Sequence, residues 1–194
     1  GFTINDALKR LRGKPGTKVE VEVVREGATE PLSFTIIREI IKIKAIPYAG
    51  KLTEDIGYVR LADFSKVAAS ELHAALDSLF GIKGVKKLVF DLRGNSGGLL
   101  QEGVEVSGLF IPAGDTVLIT KGRSPSSLRG YISPGQLKST EFPLVVLVDR
   151  GSASAAEIVA GAIQDWERGL ILGDTTFGKG SVQTLYPLPE DAAL

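Results

Sequence analysis

The 194-residue sequence contains no cysteine. It can therefore form no disulfide, thiolate nucleophile or zinc-thiolate site, and its redox compartment stays open. It also lacks methionine, even at position 1, so it is expected to be a fragment or processed form of something longer. Any targeting peptide would have gone with that missing start, and its absence carries no information on location. A single histidine, His73, leaves little material for a Ser-His-Asp triad. Net charge is missing too: 23 Lys and Arg balance 23 Asp and Glu. Nothing in that balance favours nucleic acid or an anionic membrane as partner. No apolar run approaches the ~18 residues of a membrane-spanning helix, the longest clear one being residues 143–148.

What is present suits one compact domain or one domain plus part of another, since 43% of the residues are hydrophobic. Residues 3–12 carry a plausible N-cap, Thr3, and apolar Ile4, Ala7, Leu8 and Leu11 at helical spacing, with Gly13 and Pro15 to stop the helix. Val19, Val21 and Val23 alternate, Glu26-Gly27 turns, and Leu32, Phe34 and Ile36 alternate again, which predicts a hairpin. About 40 residues of helix and hairpin cannot bury their own apolar face, so residues 1–42 are expected to be the end of a larger module. From residue 43 the pattern changes. A strand is predicted at 56–61 and an amphipathic helix at 66–80. Short apolar strands follow at 88–92, 144–148 and 170–172, each running into a glycine- or serine-rich loop, with helices between them. Such alternation predicts an α/β fold with a parallel sheet covered on its faces. Loops after parallel strands gather at one edge, where α/β proteins place their sites.

Several chemistries compete for those loops. Gly173-Asp174-Thr175-Thr176-Phe177-Gly178-Lys179-Gly180 nearly spells a phosphate-binding loop. However, Gly180 stands where a magnesium-binding hydroxyl is needed, and residues 181–187 look extended rather than helical. His73 shares a helix face with Ser70 and Asp77 opposite the leucines, which marks it as solvated. Asp91, Asp149 and Asp174 lie near strand ends and could hold a hard cation, but Arg93 and Arg150 beside them suggest ion pairs or loop caps. The glycines of a nucleophile elbow are replaced around Ser154 by Ser152 and Ala156.

The remaining option pairs Ser154 with Lys179. Ser154-Ala155-Ala156-Glu157 reads as a capping box at a helix start, where free N–H groups and the helix dipole can also stabilise an oxyanion. Without a usable histidine, the base would be a neutral lysine. An ordinary lysine is only ~0.04% neutral at pH 7, and lowering its pKa to ~8 raises this to about 10%. Burial against an apolar wall such as Phe177 would supply that change. Gln183, on the same face as Lys179 if residues 179–183 are extended, could orient the ammonium group.

Three motifs, residues 91–98 (DLRGNSGG), 151–158 (GSASAAEI) and 177–183 (FGKGSVQ), together closely resemble the carboxy-terminal processing peptidases, also called tail-specific proteases. They occur in that family's order, and the likeness extends over nearly the whole chain. The resemblance implies a serine endopeptidase with a crotonase-like α/β core in residues 43–194. Residues 12–17 and the hairpin resemble the second half of a PDZ module, which would occupy residues 1–42. By the same resemblance Ser154 is the nucleophile, Lys179 its general base and Gln183 the residue that orients Lys179. The N–H groups of Gly98 and Ala155 form the oxyanion hole, and Ser152 is a non-catalytic neighbour, a choice the residues alone leave open. No metal or organic cofactor is implied. The implied partners are polypeptides with apolar C-terminal tails, with no nucleic acid and no integral membrane segment; a homo-oligomer is compatible. The implied location is extracytoplasmic, in a bacterial periplasm or cell envelope. Half a PDZ module is not expected to bind tails, and the core is expected to be truncated at its C-terminus. The rival expectation is a peptide-binding or scaffold fragment of the same fold that does not hydrolyse.

Overall fold

The computed structural model describes residues 3–41, 44–136 and 141–183. The chain divides into two compact units, residues 1–43 and 44–194. The first contains helix α1 (Ile4–Leu11) and an antiparallel pair, β1 (Lys18–Val23) and β2 (Leu32–Ile37), with Val21 opposite Phe34 and Val19 opposite Ile36. Thr3 caps α1, accepting the Asp6 N–H at 3.3 Å while Asp6 accepts the Thr3 N–H at 3.1 Å. The Arg38 guanidinium holds the unit together, donating to the carbonyls of Arg10, Leu11 and Lys18 at 2.8 to 2.9 Å. It thereby satisfies carbonyls at the end of α1 that have no partner inside the helix. No residue of α1 is buried, and Phe34 of β2 is 45% exposed. Helix and hairpin thus leave their apolar side chains uncovered, as their size demands.

The second unit is built on a five-stranded sheet in the order β3 (Tyr48–Lys51), β4 (Ile56–Arg60), β5 (Lys87–Asp91), β8 (Leu144–Val148), β9 (Leu170–Gly173). β3 is antiparallel to β4, and the other four strands are parallel. The crossovers carry α2 (Ala68–Asp77), α3 (Leu100–Ser107) and α4 (Ala155–Asp165), and a separate antiparallel pair, β6 (Thr116–Thr120) and β7 (Arg129–Ile132), follows α3. A π-helical turn, Ser78–Ile82, extends α2 to the end of the predicted helix.

Each crossover steps one strand further across the sheet in the same direction. Right-handed connections therefore put all three helices on one face. Burial along the strands follows this. Val59, Leu88, Phe90, Leu144, Val146 and Val148 are buried, whereas their alternates Tyr58, Val89, Val145 and Leu147 are only half-buried. The expected parallel sheet is thus present, and among the described residues its two faces are covered unequally. One face is packed by helices, and the apolar runs look continuous because the other face is half-covered as well.

The core between sheet and helices includes Leu72 and Leu76 of α2, Val104 and Val106 of α3, and Val159 and Ile163 of α4. Phe90 stacks against Phe110 with ring centroids 5.2 Å apart. Helices α3 and α4 approach closely at Gly103, where an added methyl would meet the Ala155 methyl at 3.4 Å. This contact fixes the start of α4, and Ser154, against the helix layer.

Candidate active site

The three predicted loops meet at the carboxyl edge of the sheet. The Ala153 N–H donates to the Asn95 carbonyl at 2.9 Å, and the Phe177 N–H to the Ser152 carbonyl at 3.0 Å. The first bond ties the loop after β5 to the loop after β8, and the second ties that loop to the one after β9. A fourth segment, after β4, also belongs here: Phe64 bridges to Gly98.

The two serines of the middle loop differ in kind. Ser152 is fully buried, and its hydroxyl donates to the Leu92 carbonyl at 2.8 Å while accepting the Asp149 N–H at 3.0 Å. It is consumed in joining β5 to β8. Ser154 is half-buried and opens onto a cleft. Its backbone has φ 57° and ψ −116°, a conformation that costs a side-chain-bearing residue roughly 1–3 kcal/mol. The sharp turn of an elbow is thus present without the elbow's glycines. Ser154 and Glu157 form the capping box of α4: the Glu157 N–H faces the Ser154 side chain and its carbonyl, the latter at 2.8 Å, and the Glu157 carboxylate takes the Ser154 N–H.

Glu157 joins the serine to the lysine loop. One carboxylate oxygen accepts the Ser154 N–H at 2.8 Å and the Lys179 N–H at 2.9 Å, which keeps these two nitrogens within about 6 Å of each other. The other accepts the Thr176 hydroxyl at 2.8 Å and the Gly178 N–H at 2.6 Å. Burial raises the Glu157 pKa, but the bonds from Thr176, Gly178, Ser154 and Lys179 outweigh it, and the carboxyl is held below its ordinary value. The S-x-x-E pattern was visible in the sequence, but it signalled only a cap. That its glutamate also reaches a loop some 20 residues further on is a tertiary fact with no local signal.

Gly97 and Gly98 form the other wall. A methyl at Gly97 would lie 2.6 Å from the Ala153 carbonyl oxygen and 2.7 Å from Ser154 Cβ, and one at Gly98 would lie 2.5 Å from the Phe64 carbonyl oxygen. Only glycine fits either position. Among the described residues no acceptor takes the N–H of Gly98 or of Ala155, the first residue of α4.

Gly98, Ser154, Glu157, Lys179 and Gln183 line one cleft of about 410 Å³, together with apolar Leu99, Leu100, Leu118, Ile158 and Val182. Ala155, the residue after Ser154, is fully buried and is not among the residues that line the cleft. Lys179 and Gln183 are exposed, and Phe177 is 69% exposed. The apolar wall expected from Phe177 is therefore not built around Lys179 by the described residues. Phe177 follows Thr176, whose hydroxyl points in to Glu157, and its own N–H is drawn to Ser152; its ring is turned outward. No hydrogen bond links the Ser154 hydroxyl to the Lys179 ammonium group. The extended reading of residues 184–187 lies outside the described residues.

The rival chemistries lose their groups to other partners. Asp91 accepts from Arg93 at 2.7 Å and from the Tyr58 hydroxyl at 2.6 Å. Burial raises its pKa, while the bonds from Arg93 and Tyr58 prevail and lower it. Asp149 caps the Gly94 and Gly151 N–H groups at 2.8 and 2.9 Å, and the Gly94 bond leads in holding its pKa down. Arg150 pairs with Asp174 at 3.0 Å rather than with Asp149 beside it. His73 lies 3.3 Å from Asp77 and lines a different cleft with Lys66 and Glu102. Residues 181–183 are not helical, as the broken phosphate-loop pattern anticipated.

A strained serine, two unpaired N–H groups and a tethered lysine loop at the carboxyl edge of a parallel sheet define a serine-centred site. Residues 55–194 match Peptidase family S41, and the chain belongs to that family. The carboxy-terminal-processing protease of Bartonella bacilliformis is 41% identical over 197 residues, which take in 100% of this chain and 45% of that protein. The carboxy-terminal processing protease CtpA of Bacillus subtilis is 38% identical over 184 residues, 95% of this chain and 38% of the relative. The chain thus spans about half the length, or less, of these curated relatives. Among solved structures, the photosystem II D1 C-terminal processing protease superposes with a TM-score of 0.66 at 33% identity, covering 93% of this chain and 50% of that one.

Proposed function

We propose that the protein is a serine endopeptidase that cuts polypeptides near their C-termini through an acyl-enzyme. The observation that carries this reading is the shared Glu157 oxygen, which accepts the N–H groups of both Ser154 and Lys179 and so brings the two residues to one cleft. In the proposed reaction Ser154 Oγ attacks the scissile carbonyl carbon and its proton passes to neutral Lys179 Nζ. The carbonyl oxygen takes up negative charge facing the Gly98 and Ala155 N–H groups. The C–N bond then breaks, the leaving amine takes the proton from Lys179, and an ester to Ser154 remains. Water, deprotonated by Lys179, hydrolyses the ester and restores the serine. Gln183 orients the Lys179 ammonium group from the same cleft.

That Gly98, Ser154, Lys179 and Gln183 line one cleft supports this reading. The apolar cleft walls fit an apolar side chain next to the scissile bond, and the resemblance of the motifs implies polypeptides with apolar tails as substrates. Other parts of the reading rest on the resemblance of the motifs: a crotonase-like core, a partial PDZ module in residues 1–42, an extracytoplasmic location and the option of a homo-oligomer. Among the described residues no helix is long and apolar enough to cross a membrane.

A second reading has an observation in its favour. Lys179 is exposed and not bonded to Ser154, as expected of a peptide-binding scaffold that does not hydrolyse. Peptides with apolar tails, tested with Ser154→Ala and Lys179→Ala as controls, separate the two. Cleavage lost in both variants supports the dyad. Cleavage that survives either change refutes it, and binding with no cleavage by the unaltered protein favours the scaffold.

A further inference from the structure

Asn95 is 0% exposed, and all of its polar groups are used inside the protein. Its Nδ2 donates to the Leu61 carbonyl at the end of β4 at 2.9 Å, and its Oδ1 accepts the Gly97 N–H at 2.8 Å. Its own N–H donates to the Leu92 carbonyl at 3.1 Å, and its carbonyl accepts the Ala153 N–H, beside the nucleophile, at 2.9 Å. One residue thus holds β4, the end of β5, the glycine loop and the serine loop in register.

The consequence falls on Gly98. The N–H before it, on Gly97, is held by Asn95, and the N–H after it, on Leu99, is held by the Phe64 carbonyl at 2.9 Å. The Gly98 N–H lies between two fixed amides and has no acceptor of its own among the described residues. Its direction is therefore set by its neighbours. The amide side chain makes both bonds at once from two separate atoms, a donor for the Leu61 carbonyl and an acceptor for the Gly97 N–H. Aspartate supplies the acceptor alone and would bury a charge against the Leu61 carbonyl. We infer that Asn95 is the positioning residue of the glycine loop, aiming the Gly98 N–H at the oxygen that becomes negative during acyl transfer, without touching substrate itself. This rests on the proposed peptidase reading.

The test compares Asn95→Asp and Asn95→Ala with the unaltered protein, using an apolar-tailed peptide substrate and a peptide aldehyde. Addition of Ser154 to the aldehyde creates the oxyanion without bond cleavage. The expected result is a fall in kcat of about 10²-fold with KM changed less than about threefold, and a parallel loss of aldehyde affinity. A merely structural role would not couple the aldehyde to kcat in this way. Folded variants with kcat within about threefold of the parent, or with undiminished aldehyde affinity, overturn the inference. Should neither variant fold, amide hydrogen exchange in the unaltered protein decides. The Gly97 N–H is expected to be protected and the Gly98 N–H to become protected only when the aldehyde binds; rapid exchange at Gly97 overturns the inference. Failure of the peptidase reading would show separately, as absence of cleavage by the unaltered protein, while Gly97 exchange would still report on the clamp.

Discussion

The serine side and the lysine side of the cleft are held in different ways. Ser154 sits between buried Ala153 and Ala155, on a loop fastened through Ser152, Asp149 and Asn95 to two neighbouring segments. Lys179 stands on an exposed loop that, among the described residues, is tied to the serine side by three bonds to Glu157, from Thr176, Gly178 and Lys179, by the Phe177 to Ser152 bond and by the Arg150–Asp174 pair. Ser154 is thus fixed by the core, whereas the Lys179 loop is held largely through one carboxylate. Many redundant contacts can support a strained backbone, and a few local ones leave a loop free to respond.

The largest expected effect tests the serine side. Ser154→Ala should lower kcat/KM roughly 10⁴-fold or more in a peptide-cleavage assay. Ser154→Gly should be equally inactive yet more stable by about 1 kcal/mol in denaturant titration, because glycine tolerates the positive φ. A glycine variant less stable than the parent would show that the turn stores no strain. Next comes the base: Lys179→Ala should cost about 10²–10⁴-fold in kcat with no change in the unfolding midpoint, since the side chain is exposed.

The link between the two sides comes third. Glu157→Gln keeps the shape, but its single amide oxygen cannot replace a carboxylate that accepts four donors. A fall in kcat of about 10²-fold is expected with a smaller change in KM; an unchanged kcat would show that the Lys179 loop holds itself. The carboxylate also sets a pH dependence. Its folded pKa is lowered, so its contribution to stability is complete above the ordinary glutamate value of about 4.3 and is lost as pH falls through the lower folded value. Thermal melts of parent and Glu157→Gln should therefore converge only below about pH 4. The smallest catalytic effect is expected at Ser152. Ser152→Ala should destabilise by about 1–3 kcal/mol, because the buried Asp149 N–H loses its acceptor, while kcat stays within a few-fold of the parent.

Much of this comparison was legible beforehand. Each of β5, β8 and β9 is a short apolar run followed by a loop rich in glycine, serine or both, so the βα periodicity alone gathers residues 92–98, 149–154 and 174–180 at one edge. Choosing Ser154 over Ser152 took either the family resemblance or the buried bonds of Ser152, since both lie in the same small-residue stretch. The outward turn of Phe177 was hidden because side-chain direction in an irregular loop has no period to read. Strand β3 and the β6–β7 pair also escaped notice. They are short and carry few buried side chains, Val117 being buried in β6 and none in β7, so alternation gives little signal there.

The sequential strand order bears on how activity is lost. Helix α4, which begins beside Ser154, packs against α3, while β9, which leads to Lys179, is the outermost strand among the described residues, with Leu170 72% and Leu172 61% exposed. Detaching β9 from β8 exposes little new apolar surface, so that opening needs far less free energy than global unfolding. It moves the Lys179 loop and leaves Ser154, the glycine loop and the core in place. On the proposed peptidase reading, activity would therefore be lost before the fold.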